Sequence, residues 1–264
     1  MRKYYFLFIS NLKYVLINRT RVLVWFINDS VSFIVFPFLW LIIYQNRIVI
    51  GGYTVRDIIT YYIIIATVNI LTTAHSADDI KESILKGRLS TTLLKPIHLL
   101  WQHVIFEITH KMMNLLFLIV IGSIAIVTFY NYLAFPQSPI TIALFLCSLI
   151  ISFALSNCIM SLIGIVAFWI GETTTLRQFR EVIEKLFSGE LAPLTFFPLF
   201  LQTIAAYLPF KYLAYFPSQI YLEKISYSEI LKSFLGAFCW IAALIIIIII
   251  VWKRGLKRYD GSSI

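Results

Sequence analysis

The chain has 264 residues, of which 60% are hydrophobic and only 13% are charged. Soluble proteins carry about 25% charged residues, so this composition excludes an ordinary soluble domain and indicates a bilayer environment. The formal net charge of +9 does not indicate nucleic-acid binding. The basic residues stand beside apolar blocks, where they favour contact with anionic lipid headgroups.

The first predicted element is an amphipathic helix over residues 2–20, within an N-terminal arm that spans 1–21. Its apolar face consists of Tyr4, Phe8, Leu12 and Val15. Basic residues surround this face, a pattern typical of a helix that lies on the cytoplasmic membrane surface in contact with lipid. Apolar spans follow at 22–44, 57–74, 106–129, 140–170 and 232–252. The prolines between 193 and 217 argue against a further continuous span there.

The distribution of basic residues predicts the topology. The N-terminal arm has five Lys or Arg residues, the loop 75–103 has four, the tail 253–264 has four, and the loop 130–139 has none. Since basic segments stay in the cytoplasm, both termini and the middle loop are expected inside, which requires an even number of crossings. We therefore predict a sixth, short and charged span at 173–188. The segment 189–230 is then external and re-entrant.

These expectations define a fold class and a set of ordered motifs. The fold class is an all-α integral membrane protein with six transmembrane helices, forming one domain over 1–264. The middle loop contains ILKGRLSTTLLKP at 84–96, the outer segment contains SGELAPL at 188–194 followed by Phe197-Pro198, and the tail contains GLKRY at 255–259. In this order and spacing, the chain resembles the six-span permeases of bacterial type-2 ABC transporters over essentially its whole length.

The resemblance implies a function and a set of partners. It implies a plasma-membrane exporter built on a permease dimer, either two copies of this chain or this chain with a related one. It also implies a pair of cytosolic ABC ATPase subunits that hold ATP and Mg²⁺. The family moves diverse substrates, so the cargo is expected only to be amphiphilic or hydrophobic.

The loop 75–103 is the first candidate functional site, and the resemblance implies that it couples the permease to the ATPase. A coupling helix needs charge for register and apolar residues that dock in a groove. The charged candidates are Asp78, Asp79, Lys81, Glu82, Lys86 and Arg88. The apolar stripe consists of Ile80, Ile84, Leu85 and Leu89, and Gly87 is expected to end the helix. The alternative is a solvated loop with interfacial apolar residues.

The predicted span at 173–188 carries ionisable residues, which are costly in a membrane unless they pair or face a water-filled path. Arg177 and Arg180 each stand four residues before a glutamate, so we expect them to pair locally along the helix. For Glu181 and Glu184 two alternatives stay open. They form either a polar wall or latch of the transport pathway, or local pairs only.

The outer segment after this helix is rich in proline and aromatic residues. The candidate external gate comprises Gly189, Glu190, Pro193, Phe197 and Pro198. Aromatic residues also anchor proteins at the membrane interface, so gating and anchoring are both consistent with this composition.

One group of potential metal ligands lies at the beginning of the predicted span 106–129. His103, Glu107 and His110 share one helical face, but a zinc or di-iron site needs further ligands, so we predict a polar cluster without metal. The chain contains no GxxxxGK[ST] phosphate loop, so we expect no ATP binding, no cofactor and no catalytic residue in this chain. The rival interpretations are an ATP-independent secondary transporter, a membrane enzyme that uses the His–Glu–His cluster, and a membrane scaffold.

Overall fold

The computed structural model describes residues 2–17, 19–94 and 98–259, and this part of the chain is mostly helical. The first half contains α1 (Arg2–Ile17), α2 (Arg19–Ile43), α3 (Val55–Thr72), α4 (Ala77–Leu85), α5 (Arg88–Leu93) and α6 (Leu99–Phe129). The second half contains α7 (Pro139–Ile165), α8 (Ala167–Ile170), α9 (Thr174–Phe187), α10 (Leu199–Tyr207), α11 (Tyr215–Tyr221) and α12 (Tyr227–Arg258). A small antiparallel hairpin joins β1 (Val49–Ile50) to β2 (Tyr53–Thr54). The predicted loop and tail extend into 95–97 and 260–264, which lie outside the described residues.

Four helical stretches within the described residues are long and apolar enough to cross a membrane: Val55–Leu85, Leu99–Tyr132, Pro139–Ile170 and Tyr227–Arg258. They contain the predicted spans 57–74, 106–129, 140–170 and 232–252. The predicted first span coincides with α2, whose 25 residues extend about 37 Å and are long enough to cross a bilayer core. α9 has the predicted position but only 14 residues. Its length is about 21 Å, less than the ~30 Å of a bilayer core, so α9 by itself is too short to cross.

Short polar signals fix where the crossing helices begin. At α3, the Thr54 N–H donates to Asp57 Oδ2 at 2.9 Å and the Asp57 N–H donates to Thr54 Oγ1 at 3.3 Å, which is a capping box. Ser226 and Glu229 form the same arrangement at α12. α6 begins at Leu99, before the predicted residue 106, because His98 caps it through Nδ1. α12 continues to Arg258, so the predicted tail begins as helix.

α3 is the central helix of the protein. In the most apolar 18-residue segment of the stretch that contains α3, 72% of the residues are buried. The corresponding fractions are 11% for the stretch with α6 and 17% for α12. α3 packs against α2, α6, α7 and α11. Tyr61 is fully buried, and the ring of Tyr62 stacks on Phe36 and Trp40 of α2. The isoleucine run 245–250 of α12 is mostly exposed, as expected for a surface that faces lipid.

The chain between α9 and α12 forms short elements rather than one long helix, as its prolines predict. One-turn 3-10 helices lie at Leu194–Phe196 and Pro209–Tyr212, on either side of α10. The 3-10 turn at Leu194–Phe196 meets the hairpin turn of β1 and β2. A Cβ atom on Gly51, whose φ is +56°, would lie 2.5 Å from Phe196 Cε1. Glycine therefore allows both the left-handed turn and the close approach of the two segments.

Candidate functional site

The predicted coupling loop folds into two short helices, α4 and α5. Asp78 and Asp79 lie in the first turn of α4, where negative charge interacts favourably with the helix dipole. α4 ends at Leu85, and Gly87 then adopts a left-handed conformation with a φ of +68°. Glycine takes this conformation without steric cost, so the chain stops at the expected place and restarts as α5.

The apolar stripe of this loop faces the protein itself. Ile80 and Leu89 are 0% exposed and Ile84 is 5% exposed. They belong to one cluster with Ile165, Phe168 and Trp252, from α7, α8 and α12. The stripe was predicted to dock in a groove of a partner, but these three side chains are already covered. The periodicity identified an apolar face correctly, and the covering surface is internal because α7 approaches α4 closely at Gly164. Leu85 is partly exposed.

Two ion pairs join α4 to the start of α9. Lys81 Nζ lies 3.0 Å from Glu172 Oε1 and donates to Thr174 Oγ1 at 3.1 Å. Asp78 Oδ2 lies 3.2 Å from Arg177 Nε. The Lys81 side chain is only 14% exposed, so its contact with Glu172 is shielded from solvent on the lysine side. These contacts connect the predicted coupling loop with the beginning of the predicted charged span at 173–188.

Glu172 is held in the ionised form by its neighbours. Its carboxylate accepts hydrogen bonds from the hydroxyl and the N–H of Thr174 and from Lys81, which lower its pKa to about 2. The N–H of Thr174 belongs to the first turn of α9, at 2.7 Å from Glu172 Oε1. One carboxylate oxygen therefore caps α9 and binds the lysine of α4.

The exposed charges of the loop form a separate group. Arg88 Nη2 donates to Glu82 Oε2 at 2.7 Å, and Lys86 Nζ lies 3.3 Å from Glu82 Oε1. All three side chains are between 44% and 65% exposed. Exposed ion pairs of this kind contribute little to stability. Because the side chains are exposed, they are accessible for contact with another molecule. We name Glu82, Lys86 and Arg88 the outer charge group.

The connection between α3 and α4 is held by side chains of α6 and α7. The His75 N–H donates to Glu107 Oε1 at 2.6 Å, and the Ala74 N–H donates to Ser156 Oγ at 2.9 Å. Lys111 Nζ donates to the Ile70 carbonyl at 3.1 Å. Glu107, which the sequence grouped with His103 and His110, thus satisfies the backbone of this connection. Among the described residues, no group of three or more His, Cys, Asp or Glu side chains is arranged to hold a metal ion.

A polar cavity of about 270 Å³ lies beside α9. Its polar lining includes Asn69, His75, Arg180, Glu181, Glu184 and Glu190. Arg177 pairs with Glu181 at 2.5 Å, and Arg180 pairs with Glu184, so the predicted local pairs one helical turn apart are confirmed. The local pairs of Glu181 and Glu184 are therefore present, and their role in a transport pathway stays a prediction. Both residues also face a polar space inside the protein.

The candidate gate residues lie at different depths. The Gly189 carbonyl accepts a hydrogen bond from the Tyr61 hydroxyl at 2.6 Å, which ties it to α3. Glu190 lines the polar cavity. Pro193 is buried, Phe197 is half-buried, and the exposed Pro198 precedes α10. The structure therefore brings Gly189 and Glu190 next to the cavity and α3, and it separates them from Pro198.

A charged dipeptide on the same side as the hairpin was missed by the sequence analysis. Lys224 Nζ lies 3.0 Å from Asp57 Oδ2, donates to the Gly52 carbonyl at 3.1 Å, and sits over the Tyr53 ring. Glu223 Oε1 accepts from the Thr141 hydroxyl at 2.8 Å and from the Gln137 N–H at 3.2 Å. Glu223 has a φ of +54°, which is unusual for a residue other than glycine and directs the two side chains to different helices. The dipeptide thus joins the beginnings of α3 and α7.

Replacing Lys224 with Met should lower the free energy of unfolding by about 1.5 to 3 kcal/mol, the usual cost of losing a hydrogen bond to a charged group. The Lys224 and Asp57 side chains are only 23% and 21% exposed, so Asp57 would be left without its cation. Thermal unfolding in detergent measures the change. Lys232→Met, on the exposed surface of α12, should leave the unfolding temperature unchanged. If Lys224→Met and Asp57→Asn were additive in the double variant, the ion pair would not be the cause.

The helices and their exposure define the class of protein. The chain is a multi-pass, mostly helical membrane protein whose central helix is enclosed by helices with apolar exposed surfaces. The family model described as ABC-2 family transporter protein matches residues 27–263, and the chain belongs to this family. No match was found among curated proteins or among solved structures. Members of the family are membrane permeases of ABC transporters, as the motif order suggested.

Proposed function

We propose that the chain is the permease subunit of an ATP-driven exporter in the bacterial plasma membrane. A pair of cytosolic ABC ATPase subunits, which hold ATP and Mg²⁺, drives it, and a second permease chain completes the membrane part. The cargo is amphiphilic or hydrophobic. The family membership supports the permease and its general class of motor.

The observation that carries the proposal is that the outer charge group is exposed to solvent. α4 and α5 are short polar helices between the long helices α3 and α6. Their apolar side chains are covered by the permease, while Glu82, Lys86 and Arg88 are exposed. A helix pair anchored on its apolar side and charged on the other is suited to receive force from a soluble partner.

The proposed topology has six crossings and both termini in the cytoplasm. α2, α3, α6, α7 with α8, and α12 supply five of them. α9, together with the chain that follows it, supplies the sixth. α1 packs against α6 and rests on the inner membrane surface in contact with lipid. The segment between α9 and α12 lies outside as a re-entrant element. A reporter fused after Ile264 should give a cytoplasmic signal.

The proposed transport path includes the polar cavity beside α9. A polar space lined by Glu181, Glu184 and Glu190 is costly inside a membrane unless water or a ligand enters it. α9 also exposes Phe179 and Val182 on its other side. The second permease chain covers this apolar face, so that the path runs between the two chains.

The motor is tested by affinity purification of the tagged chain in mild detergent, with mass spectrometry of the proteins that co-purify. We expect an ABC ATPase in about equal amount with the permease. The double variant Lys86→Glu/Arg88→Glu should lose the ATPase by at least about tenfold, since reversed charge at a docking surface costs affinity. The control Lys232→Glu reverses one charge near the beginning of α12, outside the outer charge group, and should retain the ATPase.

Purification without any ATPase, under conditions that keep other ABC complexes intact, would contradict the proposal and favour a secondary transporter or a scaffold. Retention of the ATPase by the double variant would leave the family assignment in place. It would show that the outer charge group is not the docking surface.

A further inference from the structure

The contact between α4 and α9 differs in kind from the contacts that hold α4 on its other side. α4 packs on α7 and α8 through buried apolar side chains. On the side of α9, the contacts of α4 are polar. Lys81 contacts Glu172 and Thr174, and Asp78 contacts Arg177. Close-packed apolar surfaces have few stable arrangements. An ion pair between flexible side chains can stay formed when the two helices shift slightly relative to each other.

The lysine contact reaches the end of α9 directly. Glu172 Oε1 lies 3.0 Å from Lys81 Nζ and 2.7 Å from the N–H of Thr174, which is the first residue of α9. A displacement of Lys81 therefore acts on the atom that caps α9. The loop before it bends at Gly171, whose φ is +67°, so this end of α9 is joined to α8 by a turn rather than by a continuous helix.

The second contact leads to the cavity. Arg177 lies between Asp78 of α4, at 3.2 Å, and Glu181 one turn further along α9, at 2.5 Å. Glu181 lines the cavity, and so do Arg180 and Glu184, which form the next pair on the same helix. A series of charged contacts thus extends from α4 to the polar wall of the cavity.

We propose that Asp78, Lys81, Glu172 and Arg177 form a charge relay through which displacement of α4 moves α9 and the cavity wall as one unit. The proposal rests on the proposed function, since it takes α4 to be the element that the motor displaces. The four residues are positioning residues, because they act on α9 and none of them lines the cavity. They are distinct from the outer charge group, which would contact the motor.

A double-mutant cycle in the purified full-length chain tests the contact between Lys81 and Glu172, which we call the tether. The variants are Lys81→Met, Glu172→Gln and their combination, and glutamine at 172 keeps an oxygen for the N–H of Thr174. The readout is hydrogen exchange of peptides that cover 174–187. Each single variant should speed exchange there on the order of threefold to tenfold, as expected when a local contact that limits opening is lost. The double variant should exchange no faster than the faster single variant.

The controls separate the relay from general destabilisation. Glu82→Gln removes a charge from the other face of α4 and should leave exchange of 174–187 unchanged. Lys81→Arg keeps the cation and should restore slow exchange, which also guards against a variant that folds poorly. Unchanged exchange in both single variants, or additive effects in the double variant, would overturn the tether.

A second measurement tests transmission in the complex that co-purifies with the ATPase. Addition of ATP and vanadate should change the exchange of both 77–85 and 174–187 in the unaltered protein. In the double variant Asp78→Asn/Lys81→Met, which removes both contacts with α9, only 77–85 should respond. An unchanged response of 174–187 in that variant would overturn the relay. If no ATPase co-purified with the unaltered chain, the proposed function would be contradicted instead. Hydrogen exchange of the permease alone would still show whether the tether exists.

Discussion

Gly164→Ala should displace α4 from α7 and lower the free energy of unfolding by about 1 to 3 kcal/mol, the usual cost of overpacking. A Cβ atom at this position would lie 2.7 Å from Ile80 Cβ and 3.0 Å from the Ala77 carbonyl oxygen. Neither neighbour is the free end of a flexible side chain, so α4 itself has to move. Alanine is otherwise favoured over glycine in a helix by about 1 kcal/mol, so a loss of stability would point to the contact.

The matched control is Gly122→Ala on α6, where a Cβ atom would meet nothing within 4 Å. This variant should unfold at the same temperature as the unaltered chain or slightly higher. The measurements are thermal unfolding in detergent and hydrogen exchange of 77–85. Faster exchange of 77–85 in Gly164→Ala, together with a lower unfolding temperature, is the expected result. Equal behaviour of the two variants would mean that α4 does not depend on close contact with α7.

Gly189→Ala should lower the free energy of unfolding by about 2 to 4 kcal/mol, because backbone strain and overpacking act together. Gly189 has a φ of +80°, and a Cβ atom would lie 2.6 Å from the Tyr61 hydroxyl oxygen and 3.0 Å from Tyr215 Cβ. The same hydroxyl donates to the Gly189 carbonyl, so the substitution would also disturb a buried hydrogen bond. Thermal unfolding in detergent measures the loss.

Gly52→Ala separates the two causes. Gly52 has a φ of +82°, close to that of Gly189, but a Cβ atom there would meet nothing within 4 Å. This variant should therefore show the backbone strain alone, about 1 to 2 kcal/mol. If both variants lost the same stability, the contact between Gly189 and α3 would contribute nothing.

The crossing helices were predictable because their signals are local. Long apolar runs placed α3, α6, α7 and α12, and prolines correctly broke the chain after α9. α6 extends beyond the predicted span to Leu99, where His98 acts as its cap, and a histidine cap is rarely considered when a helix start is predicted. The predicted sixth crossing is the one that helix length does not support, because the 14 residues of α9 need neighbouring chain to traverse a bilayer.

The candidate site was predictable in composition but not in arrangement. The spacing of Ile80, Ile84 and Leu89 shows an apolar face, but periodicity cannot tell whether the chain itself or a partner covers it. The pair between Lys81 and Glu172 joins residues 91 positions apart, so no local pattern indicates it. By contrast, Arg177 with Glu181 and Arg180 with Glu184 follow the four-residue spacing that a helix imposes, and the structure contains both pairs.

The dipeptide Glu223-Lys224 fixes the order of two opposite charges along the chain. Glu223 accepts hydrogen bonds at the beginning of α7, where a lysine would have no acceptor to offer and would face the positive end of a helix dipole. Lys224 faces Asp57, which a glutamate would repel. In the evolution of this chain, an exchange of the two residues would therefore be harmful although composition and net charge stay the same. Substitutions at 224 should be accompanied by substitutions at 57.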